Sequence, residues 1–181
     1  MSRAHSVVGV LLAAGAGTRY GMPKVLAQQG EWLHVAVEAL ANGGCDDVVV
    51  VMGAAVVDVP PPARAVLAED WATGMSASLR AGLDAAGEAE LLVLHLVDTP
   101  DVGADVITRV VGAAVSSASG LARATYGGRP GHPVVIARRH RVALAATLHG
   151  DEGARTFLKG SPGVVFVECG DLATGLDIDE T

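Results

Sequence analysis

The densest chemistry in the chain lies in Leu12-Ala13-Ala14-Gly15-Ala16-Gly17-Thr18-Arg19-Tyr20-Gly21-Met22-Pro23-Lys24, a run of small residues that ends in two cations. Small residues let backbone N–H groups approach a polyphosphate closely. Arg19 and Lys24 can then neutralise its charge. Two commoner phosphate motifs do not fit. A P-loop requires G-x-x-x-x-G-K-[ST], but here Pro23 precedes Lys24 and Val25 follows it. A dinucleotide fingerprint requires G-x-G-x-x-G, and its third position is Tyr20. The second apolar run also ends at Met52-Gly53, without the acid that would hold a ribose hydroxyl. That argues against a nicotinamide-dependent oxidoreductase. The alternative for the loop is a plain Gly-rich turn with two solvated cations.

Four further segments carry candidate groups. Thr73-Gly74-Met75-Ser76-Ala77-Ser78 opens a helical pattern with two hydroxyls, either as an anion site at a helix start or as a helix capped by Thr73. Asp98 closes an apolar run just before Pro100. It reads as a turn residue or as a Mg²⁺ ligand, since Mg²⁺ takes a few carboxylates plus phosphate oxygens; Asp101 is the weaker candidate. His132, in Gly127-Gly128-Arg129-Pro130-Gly131-His132-Pro133, is a base, a ligand or a packed loop residue. Transfer to an already ionised phosphate needs no base, which favours substrate contact or loop structure. Gly150-Asp151-Glu152-Gly153-Ala154-Arg155 offers Arg155 to a ligand, or Asp151 as the cap of a helix. Arg138-Arg139-His140-Arg141 reads as a solvated helix start rather than a binding patch.

The elements that must position these groups alternate. Ser6–Leu12, Asp47–Met52 and Leu91–Val97 are apolar and β-branched without polar alternation, as expected of strands buried on both faces. Ala63–Leu67, Leu121–Tyr126, Pro133–Ala137 and Val164–Glu168 read as further strands. His34–Ala41, Thr73–Ala86, Asp105–Val115, Arg139–Leu148 and Glu152–Leu158 read as helices. This order predicts an α/β fold, a mostly parallel sheet with helices on both faces, whose ligands bind at the carboxyl ends of the strands. The Gly-rich loop and Asp98 both fall at such ends.

At 181 residues the chain reads as one domain, residues 1–181, large enough for a core without disulfides or a structural metal. With net charge −7 and 3% aromatics it is a poor match for nucleic acid or an anionic membrane. Cys45 and Cys169 show no metal or redox spacing and fit reduced thiols in the cytoplasm. Val7–Ala16 after Arg3 mimics a signal peptide, but its glycines and the missing cleavage pattern favour a buried first strand.

The loop resembles the signature L-A-x-G-x-G/S-x-R-x-G-x-P-K of the molybdenum-cofactor nucleotidyltransferase-like family, and the resemblance extends from about Val7 to Asp179. It implies a Rossmann-like nucleotide-diphospho-sugar transferase fold. It also implies that Arg19 and Lys24 contact a triphosphate, and that Leu12, Ala13, Ala14, Gly15 and Gly17 line the nucleotide pocket. Thr73–Gly82 is similar to the G-M-S-x-S-L-R-x-G segment of the molybdopterin cytidylyltransferase branch, which implies nucleotide contacts at Ser76 and Ser78. The segments around His132 and Arg155 resemble the same branch, on its acceptor side. Asp98 matches the family's metal-holding D-x-P. The end Leu176-Asp177-Ile178-Asp179 resembles D-I-D-T-P-E-D but departs at Glu180, leaving Asp177 or Asp179 as the second metal ligand. The implied reaction is Mg²⁺-dependent (Mn²⁺ as the substitute ion) transfer of CMP from CTP to a pterin phosphate, with a molybdoenzyme as the eventual client. A sister transferase with another nucleotide or acceptor, and a non-enzymatic protein that delivers molybdenum cofactor, are the alternatives.

Overall fold

A computed structural model describes residues 5–179; Arg3 and Glu180 lie outside the described residues. The uninterrupted valines Val48–Val51 have no polar face to show to water, and β2 (Asp47–Met52) is accordingly buried on both sides. β1 (Val7–Ala13) and β4 (Leu91–Leu96) are built the same way, each within a residue of its expected bounds. With β3 (Arg64–Leu67), β5 (Leu121–Tyr126), β6 (Arg129–Ala137) and β7 (Val165–Glu168) they form one seven-stranded sheet of order β3-β2-β1-β4-β6-β5-β7. All pairs are parallel except those of β6, which runs antiparallel to both β4 and β5.

Helices cover both faces. α1 (Glu31–Asn42) and α3 (Ala104–Ser116) pack on the side of Leu11, Val50 and Val93. α2 (Met75–Ala85), α4 (Arg141–Thr147) and α5 (Arg155–Gly160) pack on the side of Val10, Val49 and Leu94. Each fully buried Val or Leu contributes about 1.5–3 kcal/mol of hydrophobic stabilisation. The middle of the sheet is therefore committed to packing, and only the strand ends are free for chemistry.

Several expectations fail at element edges. Gly74, not Thr73, precedes α2, and the Thr73 hydroxyl donates to the Asp70 carbonyl instead. The expected helix Glu152–Leu158 begins only at Arg155, so Asp151 is not its cap. Arg139–Leu148 splits into a 3₁₀ turn, Arg138–His140, followed by α4. There Arg138, Arg139 and Arg141 donate to backbone carbonyls of other segments rather than lying wholly solvated. β6 starts at Arg129 rather than Pro133, because Arg129 and Pro130 pair with Tyr126 and Thr125 across an irregularity in the ladder.

Beyond β7 the chain turns back toward the mouth of β4. Leu172, Ala173 and Ile178 pack against the core on the α1/α3 side. Thr174 donates its amide to Asp101 at 2.7 Å, Arg129 donates to the Thr174 carbonyl at 3.0 Å, and the Ile178 amide donates to the Asp98 carbonyl at 2.9 Å. Asp101 thus ties down the tail. Cys45 and Cys169 are buried free thiols, and burial first, then Asp46 and Asp47, pushes Cys45 up to about 12. Among the described residues no helix is long and apolar enough to cross a membrane.

Candidate active site

At the carboxyl ends of β1 and β4 lies a cleft of about 400 Å³. Its floor is the loop that leaves β1, and Leu12, Ala13, Ala14, Gly15 and Gly17 all line it, as does Ser78 of α2. Two local features shape the loop. Gly17 sits at φ +63°, where an added Cβ would stand 1.8 Å from the Met22 carbonyl oxygen, so only glycine closes this turn. Tyr20 is buried against Trp32 with ring centroids 5.2 Å apart, which pins the loop to α1. Arg19, one residue earlier, is left exposed at the rim.

Lys24 occupies the centre. Its Nζ donates to Asp98 Oδ2 at 2.8 Å and to Asp179 Oδ1 at 2.9 Å. Burial alone would lower the Lys24 pKa, but the two hydrogen-bonded carboxylates outweigh it and hold the ammonium above its ordinary value. Burial raises Asp98, and Asp177 and Asp179 add to that, while Lys24 pulls the other way. Asp179 is held low, chiefly by its hydrogen bond to Lys24. The second oxygen of Asp98, Oδ1, is enclosed and has no hydrogen-bond partner among the described residues.

Of the three expected metal ligands, Asp98 and Asp179 converge on one ammonium, and Asp177 is near enough to act on Asp98 electrostatically. The described residues do not assemble three His, Cys, Asp or Glu groups into a metal cluster. The donor set still fits a hard divalent cation, which needs only one or two carboxylates when phosphate oxygens complete its shell. The unpartnered Asp98 Oδ1 is a ready ligand atom.

Ser76 does not join Ser78. It is buried, its amide donates to the Gly150 carbonyl at 3.0 Å, and it lines a separate groove with Asp70 and Arg80. Two positions along a helix are about 200° apart, so both hydroxyls cannot face one ligand. His132 and Arg155 do not line the cleft. His132 is pushed down to about 3 by burial and by the neighbouring His95 and Arg123, so its imidazole is neutral and a very weak base. Its carbonyl accepts from the Tyr126 hydroxyl.

The cleft also contains groups that sequence reasoning passed over: Trp71, Met75 and Asp151. Trp71 is one of only two tryptophans in an aromatic-poor chain, the signal that was available. Asp151 reaches the wall because Gly74, at φ +127°, packs directly against Gly150 and Asp151, where a Cβ would collide.

The model of the MobA-like NTP transferase domain matches residues 9–165. Nicotine blue oxidoreductase of Paenarthrobacter nicotinovorans is 40% identical over 190 residues, covering 96% of this chain and 92% of that one. Among solved structures, Rv0371c from Mycobacterium tuberculosis H37Rv superposes with a TM-score of 0.77 at 25% identity, covering 98% of this chain and 94% of that chain. A nucleotidyl transferase from Methanothermobacter thermautotroptrophicus superposes with a TM-score of 0.79 at 20% identity, covering 98% and 93%.

Proposed function

The chain belongs to the MobA-like NTP transferase family, and from that membership we propose that it transfers CMP from CTP to the phosphate of a pterin acceptor of the molybdopterin type. The observation that carries this reading is the convergence of Lys24, Asp98 and Asp179 at the mouth of a cleft floored by the Gly-rich loop. An ionised oxygen of the acceptor phosphate attacks the α-phosphorus. The bond from that phosphorus to the bridging oxygen of the β-phosphate breaks, and pyrophosphate leaves with the electron pair. Loop amides cradle the phosphates, and Arg19 and Lys24 offset charge as it moves toward the leaving group. Asp98 and Asp179 would hold Mg²⁺ or Mn²⁺, which supplies further charge neutralisation at the phosphates. No side chain needs to remove a proton from the nucleophile, in keeping with a neutral, weakly basic His132.

Purified protein incubated with each of the four NTPs, Mg²⁺ and molybdopterin tests this. Pyrophosphate release that requires both CTP and molybdopterin is the expected result; no release with any NTP would overturn it. A second reading, oxidoreduction at the same cleft, is favoured by the 40% identity to nicotine blue oxidoreductase and opposed by the incomplete dinucleotide fingerprint at Tyr20. Oxidation of NADH or NADPH in the presence of nicotine blue would mark that activity.

A further inference from the structure

The cleft is divided by charge. Lys24, Asp98 and Asp179 gather beside β4, and Arg19 is close enough to act on Asp179 electrostatically. In the sheet, β4 lies on one side of β1 and β2 on the other. On the β2 side the cleft is lined by Trp71 and Ala72, which carry no charge. The loop that leaves β1 lies between the two ends. A triphosphate drawn to the charged end therefore leaves its nucleoside at the uncharged one.

Trp71 is built into that place. A Cβ added to Gly53, just past β2, would stand 2.5 Å from Trp71 Cβ and Cγ, so the root of the indole rests directly on the backbone there. The Ala68 amide donates to the Met52 carbonyl at 2.8 Å, and the Trp71 amide donates to the Ala68 carbonyl at 3.1 Å. The Trp71 carbonyl accepts from the Gly74 amide at 3.2 Å, closing the 3₁₀ turn Trp71–Thr73. The turn thus hangs from the end of β2. Part of the indole packs on the apolar cluster of the α2 side, yet the residue is only half-buried and it lines the cleft. Tyr20 also lines the cleft, but it is 6% exposed and packed against Trp32, so its ring is committed to the core. Trp71 keeps a large apolar surface for a ligand. A flat heteroaromatic ring suits it, because every nucleobase has a π-face to lay against an aromatic side chain.

We propose that Trp71 is the platform against which the base of the nucleoside triphosphate packs. The ligand then runs from Trp71 across the Gly-rich loop to Lys24, Asp98 and Asp179. This rests on the transferase reading, which supplies the nucleotide. It assigns affinity for the base to Trp71 and leaves the choice between bases to walls such as Ala14, since stacking accepts any base.

CTP with Mg²⁺ and no acceptor is the probe, and inorganic tripolyphosphate is the control that carries the charge without a base. In Trp32→Phe, Trp71 is the sole tryptophan. CTP should quench its emission along the binding curve measured by calorimetry, and tripolyphosphate should not. Trp71→Ala should weaken CTP by about 5–150-fold, the worth of one base–aromatic contact, and leave the affinity for tripolyphosphate unchanged. Trp71→Phe should keep most of the CTP affinity. The fluorescence titration leaves Trp71 in place, so it decides the question even where Trp71→Ala fails to fold. CTP bound with no change in Trp71 emission, or an equal loss of CTP and tripolyphosphate affinity in Trp71→Ala, would overturn the platform and leave the transferase reading standing. CTP that quenches Trp71 but releases no pyrophosphate with molybdopterin would count against the transfer and leave the platform standing. No calorimetric binding of any of the four NTPs would overturn both.

Discussion

Lys24 holds two positions at once: it is the cation that a triphosphate would meet, and it already neutralises Asp98 and Asp179. Removing its charge should separate the two roles. In Lys24→Met the two carboxylates face each other unpaired, and Mn²⁺ binding without nucleotide, read by electron paramagnetic resonance, should tighten at least tenfold. Turnover of the same variant should fall on the order of 10²–10³, the cost of losing one charge-stabilising donor. Mn²⁺ affinity at or below wild type would show that Lys24 does not compete for the site. Ala14 gives a second residue-scale test. Its methyl lines the cleft and is almost wholly buried. It should crowd a purine by about 1–3 kcal/mol, or 10–200-fold in favour of CTP over GTP. Competition between equal CTP and GTP, scored by the nucleotide incorporated, should show that ratio shrinking in Ala14→Gly without inverting.

At the scale of elements, the turn after β1 and the strand β4 each make a measurable claim. Gly17→Ala forces a Cβ into the Met22 carbonyl and costs about 1–2 kcal/mol for the left-handed backbone alone. CTP affinity measured calorimetrically should weaken more than tenfold while the far-ultraviolet circular dichroism of the sheet stays unchanged. In β4, His95 is 1% exposed, its ring nitrogens have no partner among the described residues, and burial pushes it down to about 4. The unfolded chain takes up this proton below about pH 6.5, whereas the folded chain resists until about pH 4. Stability is therefore intact above pH 6.5 and is lost as pH falls through that window, by on the order of 3 kcal/mol. His132 acts in the same direction. Urea midpoints at pH 5 and pH 7.5 should differ clearly in wild type and by about half as much in His95→Leu, the remainder being the contribution of His132. Elements such as β2 and β4 were legible because an apolar run without alternation has one good solution, a strand covered on both faces. The second half of β6, Pro133–Ala137, was legible too, but its first residues were not, because Arg129 and Pro130 read as a loop while tertiary pairing with Tyr126 and Thr125 makes them a strand.

For the molecule as a whole, the centre of the site joins residues 155 positions apart, Lys24 and Asp179, and no local pattern reports such a meeting. The sequence motif supplied the candidate carboxylates; only the return of the tail across the core shows which of them reaches Lys24. A chain ended after Asp171 should keep the sheet, lose the Asp179 carboxylate and the Asp101–Thr174 tie, and bind Mn²⁺ with nucleotide at least tenfold more weakly. The tail crosses the mouth of the site on a single strand of chain, held there by the Ile178–Asp98 backbone bond, the Asp101–Thr174 tie and the packing of Ile178, so its local opening breaks only these contacts and leaves the sheet intact. Any ligand gripped jointly by Asp98 and Asp179 is then a clasp across that opening. At a hundredfold excess over its dissociation constant it adds about 2.7 kcal/mol against release. The Ile178 amide should accordingly exchange its hydrogen with solvent roughly a hundredfold more slowly once nucleotide and metal are bound, so that occupancy of the site is written in the protection of a single backbone proton.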